Sequence, residues 1–232
     1  MGKGFNGLVL KAFGADDYRL AVTSVEQVTD KYLRLSFAAG GLLADQAVHP
    51  TQWIRLWFPD AAGGLQQRGY TLVDPDPERD AFDIEFALHG GPASQWATNA
   101  SVGDTIDATV LGSKFAVPEP KPAEFVIFGD TASLPAVNSL LDAIGETPAR
   151  VWLEWQFESD RDLPVRKGAN TVVDWVERVD DGKLLQAQAE EVVCAPDTFG
   201  WAACDSATQR AIVKSLRAKL PKSSIGGRAY WK

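Results

Sequence analysis

Two short runs of this 232-residue chain combine residue types that could hold a planar redox ring with a diphosphate tail. The first is Arg68-Gly69-Tyr70-Thr71-Leu72. A guanidinium pairs with phosphate oxygens in a fork, an aromatic ring stacks or packs edge-on, and a hydroxyl donates a hydrogen bond. A flavin asks for the same three things: charge at its pyrophosphate, a flat partner for its ring and a donor at its N5. Strand alternation puts Arg68 and Tyr70 on one face and Thr71 on the other, so the backbone must bend if all three serve one ligand. Alone, the run equally suits a surface strand with an exposed tyrosine.

The second run is His89-Gly90-Gly91-Pro92-Ala93-Ser94-Gln95-Trp96-Ala97. Two glycines let backbone approach a ligand closely, and Pro92 suits the first position of a helix. The leading amides and Ser94 are then expected to face outward at a helix N-terminus, where a pyrophosphate could sit. Trp96 suits either the core or an adenine platform, and His89 either a loop or a cofactor contact.

These runs need elements to position them. Tyr18–Val25, Tyr32–Phe37, Trp53–Phe58, Gly69–Val73, Phe82–Leu88 and Thr105–Leu111 read as short strands, which predicts a small antiparallel β-barrel. Pro118-Glu119-Pro120-Lys121-Pro122 can continue neither a central strand nor a helix, so residues 1–119 and 120–232 are read as two domains. Beyond it, Glu124–Phe128 reads as a buried strand, followed by Gly129-Asp130-Thr131 and a helix through Leu141. Arg150–Trp155 reads as a strand, Thr171–Val179 as a short helix, and Glu191–Cys194 and Phe199–Cys204 as strands. A basic amphipathic helix over Ser206–Leu220 completes an α/β domain with a parallel sheet.

Composition narrows the function classes. Apolar residues at 45%, with eight Trp and eleven Phe, suffice for a globular core. The net charge of −8 argues against a nucleic-acid or membrane-surface binder. Residues 205–232 nonetheless carry seven basic groups and one acid, an organised positive region that could focus an anion or dock an acidic partner. Two histidines and two cysteines, Cys194 and Cys204, match no metal, iron–sulfur or disulfide spacing, so no metal site is expected. The opening Met1-Gly2-Lys3-Gly4 starts no leader, and no run approaches a membrane span, so a cytoplasmic location is expected.

Taken in order, the two runs, then Gly129-Asp130-x-Ala132-x-Leu134-Pro135-Ala136, Trp201-Ala202-Ala203 and Tyr230-Trp231, resemble the siderophore-interacting protein family, the FAD-dependent ferric-siderophore reductases. The resemblance covers nearly the whole chain. It implies a ferredoxin-NADP reductase-like fold, with an FAD-binding barrel followed by an NAD(P)H-binding-like α/β domain. It also implies reduction of an Fe(III)-siderophore to release Fe(II). The family uses a basic cluster to hold its anionic iron complex, and by motif that cluster falls on Arg55, Lys114 and Lys232. Asp130 falls in the turn that reductases of this fold use for a nicotinamide dinucleotide, although a carboxylate there repels phosphate. The next strand ends in Glu154-Trp155-Gln156-Phe157-Glu158, where an acidic residue would suit a ribose 2′-hydroxyl and favours NADH over NADPH, with ferredoxin a competing donor. Two rival expectations are a general flavin or ferredoxin-type NAD(P)H reductase and a carrier that binds ferric siderophore without reducing it.

Overall fold

The computed structural model describes residues 15–60 and 63–232, so the Met1–Gly4 opening lies outside the described residues. The chain forms two compact units, Met1–Ala116 and Val117–Lys232, which part just ahead of the Pro118–Pro122 stretch.

Among the described residues, seven strands build the first unit: β1 (Asp16–Thr29), β2 (Tyr32–Ala38), β3 (Trp53–Pro59), β4 (Leu65–Thr71), β5 (Val73–Asp76), β6 (Ala81–Ala87) and β7 (Thr105–Val110). They lie in the order β4-β3-β7-β1-β2-β6-β5, and every pairing is antiparallel. Where the sequence suggests one strand over Gly69–Val73 there are two, at opposite edges of the sheet, with Leu72 alone between them. One residue can join opposite edges only if the sheet curls until they meet, which makes it a barrel. Leu72 is the pivot: its side chain is buried and its N–H donates to the Gln52 carbonyl at 2.8 Å. Asp74, at φ +47°, then turns the chain onward. Alternate residues of the strands, among them Leu20, Leu35, Phe37, Ile54, Leu56, Phe58, Ile84, Phe86 and Ile106, fill the interior. A short helix, α1 (Leu42–Asp45), seals one part of it; α2 (Pro92–Asn99) adds Ala93 and Ala97 to the same core.

The second unit is a five-stranded parallel sheet, ordered β10-β9-β8-β11-β12. Its strands are β8 (Glu124–Asp130), β9 (Ala149–Trp155), β10 (Thr171–Glu177), β11 (Thr198–Ala203) and β12 (Ile225–Gly227). Its helices are α3 (Leu134–Ile144), α4 (Lys183–Glu191) and α5 (Ser206–Arg217). Two expectations are corrected here. Thr171–Glu177 is an edge strand rather than a helix, because its β-branched residues alternate between half-buried and exposed positions. Glu191 to Cys194 is not a strand; Glu191 closes α4, a run of good helix formers that buries Leu185 and Ala189 four residues apart. Because β8 lies between β9 and β11, the strand order reverses beside it, and a crevice forms at the carboxyl ends of these strands.

Candidate functional site

In the first unit the two chemistry-bearing runs meet on one aromatic ring. Phe58 packs edge-on against Tyr70 at 5.8 Å and against Trp96 at 5.7 Å. Tyr70 lies 4.6 Å from Phe86, three residues before His89. Sequence reasoning missed Phe58 and Phe86 as joints, although their inward register on β3 and β6 was legible. Tyr70 is half-buried, and burial pushes its phenol pKa up. Arg68 is exposed and bonds only along its own strand, to the Gln67 carbonyl at 2.8 Å and Gln66 Oε1 at 2.9 Å. Thr71 is buried where β4 ends, so the bend that one ligand would require falls at Leu72. The Leu72 side chain belongs to the core, which leaves only its backbone for a ligand.

The strand-to-helix turn after β6 is built differently from the expectation at one point. Ser94 faces inward, buried, and its Oγ accepts the His89 N–H at 2.9 Å, so it closes the turn instead of presenting a hydroxyl. His89 is exposed, with Nδ1 accepting the Gly91 N–H at 3.1 Å, which leaves Nε2 to carry the proton of the neutral ring. A Cβ on Gly91 would stand 2.6 Å from His89 Cε1, whereas Gly90 faces open space. Pro92 opens α2, and the Ala93 and Ser94 amides precede the helix's first backbone bond, from Gln95 N–H to the Gly91 carbonyl. Trp96 lines a cleft of about 550 Å³ with Pro59, Pro92, Gln95, Asn99 and Thr105.

These residues fit a flavin dinucleotide. Arg68 is exposed for a phosphate, Gly90 faces open space where backbone can approach a ligand, and the Ala93 and Ser94 amides precede the first backbone bond of α2. Of the substrate candidates, Lys114 is exposed. Arg55 is half-buried and engaged: its guanidinium lies 4.5 Å over the Trp53 ring and donates to the Leu111 carbonyl at 2.6 Å. Arg55 thus braces the loop that carries Lys114. Lys232 lies exposed in the second unit.

The second unit's crevice is filled from within. Asp130 ends β8 buried; its Oδ1 accepts the Ser133 N–H at 2.9 Å, and its Oδ2 accepts the Trp231 indole N–H at 2.7 Å. Arg178 pairs with Glu154, reaches Asp205 Oδ2 at 3.3 Å, and stacks 4.8 Å from the Trp231 ring. Burial pushes the Asp130 carboxyl pKa up, partly offset by its bonds from Trp231 and Ser133. Burial likewise raises Glu154 to about 7, against the pull of Arg178. For Asp205 burial is outweighed by bonds from Thr208, Ala207 and Arg178, which hold it below the usual value. Asp130 and Glu154 are therefore corrected from their expected roles at a dinucleotide. Neither carboxylate is open to a phosphate or a ribose; Glu158, the exposed acid at the end of the same run, pairs with Arg161 at 2.7 Å, and the buried carboxylates at the crevice do not fit a pyrophosphate. Arg178, missed because its segment reads as a helix, is the cation that pairs with Glu154 and Asp205.

Residues 24–110 match the siderophore-interacting FAD-binding domain, and residues 122–232 match the siderophore-interacting protein family. The chain belongs to the siderophore-interacting protein family. Over its full length this family member is 37% identical to the mycobactin import ATP-binding/permease protein IrtA of Mycolicibacterium smegmatis, and 33% identical to IrtA of Mycobacterium tuberculosis. It spans 28% of the length of each of those relatives. Among solved structures, a siderophore utilization protein from T. fusca aligns with TM-score 0.81 at 19% identity, covering 94% of this chain and 93% of that one. The siderophore-interacting protein from Acinetobacter baumannii aligns at 0.78 and 22%, covering 94% and 90%. A ferredoxin NADP+ reductase from Neisseria gonorrhoeae with bound FAD and NADP aligns at 0.67 and 15%, covering 93% and 99%. At these identities the solved structures establish the ferredoxin-reductase-like fold alone. Among the described residues no helix is long and apolar enough to cross a membrane.

Proposed function

We propose that this family member is a FAD-dependent ferric-siderophore reductase that releases Fe(II). The observation that carries this reading is the meeting of Arg68–Thr71 and His89–Trp96 on Phe58, within the FAD-binding family match. Arg68 pairs with the pyrophosphate, assisted by the leading amides of α2. Tyr70 holds the ring, Thr71 bonds its N5, and Trp96 offers a surface to the adenine. When bound, the flavin supplies the electrons that reduce Fe(III), and the protein supplies position and charge. Arg55, Lys114 and Lys232 attract the anionic iron complex, and the lower charge of Fe(II) weakens its hold on hard oxygen ligands.

The basic face of α5 supports an acidic protein donor such as ferredoxin over NADH. Arg210, Lys214 and Arg217 are all exposed along it, a positive face on a chain of net charge −8. Purified protein tests the main reading. A yellow protein, bleached anaerobically by a reductant and recoloured by ferric siderophore with release of Fe(II), supports it. Colourless protein that still binds the complex would make the chain a carrier, and bleached flavin that the complex does not reoxidise would make it a reductase of another kind.

A further inference from the structure

Ligands of open α/β sheets sit where the strand order reverses, against the amides that open the following helix. Here that place lies beyond β8, between β9 and β11. A dinucleotide pyrophosphate would need those amides, room beside them and favourable charge.

Several of those amides are taken. At the turn into α3, the Ser133 N–H faces Asp130 Oδ1 at 2.9 Å, while the Asp130 N–H donates to Ser133 Oγ at 2.9 Å. Ala136 and Val137 donate back to the Ser133 carbonyl, and Pro135 has no N–H to offer. The Asp130 carboxylate thus stands where an incoming anion would, as an anion built into the chain. The room is taken as well. The segment 228–231 runs along the end of β11, with Arg228 N–H on the Ala202 carbonyl at 3.0 Å, Tyr230 N–H on the Cys204 carbonyl at 2.9 Å, and the Trp231 carbonyl accepting Ser206 N–H at 2.8 Å. This backbone seats the Trp231 indole on Asp130, under the Arg178 guanidinium. The charge is wrong too. Asp130, Glu154 and Asp205 are all buried, and the cation among them, Arg178, is already engaged by Glu154 and Asp205. A pyrophosphate brought among them would meet unfavourable Coulomb energy at low dielectric. Of the two acids in the run expected to meet a dinucleotide ribose, Glu154 is buried and the exposed Glu158 pairs with Arg161 at 2.7 Å.

We propose that this crevice is a socket for the chain's own Trp231, closed to nicotinamide dinucleotides, so that reducing equivalents reach the flavin without a dinucleotide seated there. The proposal rests on the second unit's geometry and stands whether or not a ferric complex is the substrate. The test uses the FAD-loaded full chain, titrated anaerobically with NADH and with NADPH. Binding is followed calorimetrically and by the Trp231 indole N–H resonance, assigned by its loss in Trp231→Phe. If that variant does not fold, crystals of the unaltered protein soaked in NADPH read the same position. The expected result is a Trp231 resonance that does not move at dinucleotide concentrations of about 1 mM, roughly the weak end of specific affinity. That holds whether no binding is seen or binding occurs elsewhere. Saturable binding that displaces the Trp231 resonance, or a dinucleotide seen in place of the indole, would overturn it.

Discussion

The indole N–H of Trp231 donates to Asp130 Oδ2 across 2.7 Å, joining two positions that lie 101 residues apart in sequence. This bond fixes the backbone one residue before Lys232. Trp231→Phe keeps a ring under Arg178 but removes a donor from a buried carboxylate, which should cost about 1–3 kcal/mol of stability. A purely structural effect would leave Lys232 independent. If Trp231 instead positions Lys232, Trp231→Phe and Lys232→Ala should each weaken binding of an anionic ferric tris-catecholate. The double variant should then be no weaker than Lys232→Ala alone. Losses that multiply would show that Trp231 acts on the fold and not on Lys232.

Burial of Glu154 predicts a pH dependence with a definite sign. Its carboxyl sits at about 7 in the folded chain against an ordinary 4.5. Between these values the folded form keeps a proton that the unfolded form has released, so unfolding gives up a proton. Stability from this group is full below pH 4.5 and declines as pH rises toward 7, by on the order of 2–3 kcal/mol. Asp130 is raised and acts in the same sense, while Asp205 is lowered and acts oppositely, below the ordinary carboxylate range. Glu154→Gln should flatten the profile and raise the thermal midpoint at pH 8 relative to the unaltered chain. An unchanged slope in thermal melts from pH 5 to pH 8 would remove Glu154 as the group responsible.

Particular residues show why some of this was legible in the sequence. The inward registers of Leu35-x-Phe37, Ile54-x-Leu56-x-Phe58 and Ile84-x-Phe86 are period-2 patterns, and a half-buried strand can produce no other. Proline at the opening of α2 is a local signal, and it held. The division of Gly69–Val73 at Leu72 was not legible, because joining opposite sheet edges is a property of barrel closure and has no local signature. The inward placement of Ser94 was not legible for a related reason: whether a hydroxyl at a helix start faces outward or caps the preceding strand depends on the turn's three-dimensional path. Asp130 read as phosphate-repelling, and Glu154 as one of two acids, with Glu158, that would suit a ribose. The real partners of Asp130 and Glu154, Trp231 and Arg178, come from other elements and only tertiary structure brings them in.

Arg68→Ala should separate cofactor retention from folding. Among the described residues its guanidinium hydrogen-bonds Gln66 and Gln67 on its own strand, so no other described element depends on it. Loss of one charge-assisted contact to phosphate should weaken FAD binding about 10- to 100-fold while leaving the thermal midpoint of flavin-free protein within a degree or two. Gly91→Ala offers a second route to the same readout, since the new Cβ would stand 2.6 Å from His89 Cε1 and must displace the His89 ring that accepts the Gly91 N–H. Full flavin occupancy after gel filtration of both variants would count against the site.

Lys114 gives the cleanest test of the basic-cluster proposal, because it is exposed and, unlike Arg55, holds nothing in place. Arg55 stacks on Trp53 and braces the Leu111 carbonyl, so Arg55→Ala confuses charge with loop position. Lys114→Ala removes charge alone and should leave FAD occupancy and stability unchanged. Exposed charges act through a screened field, so the expected loss of affinity for an anionic ferric complex is roughly two- to fivefold at low salt, fading as ionic strength rises. A neutral ferric trihydroxamate should bind both proteins alike, since the variant changes an attraction that this complex does not feel. Equal affinity of the two proteins for the anionic complex at low salt would mean that Lys114 is a solvated side chain and that the cluster does not recruit the substrate.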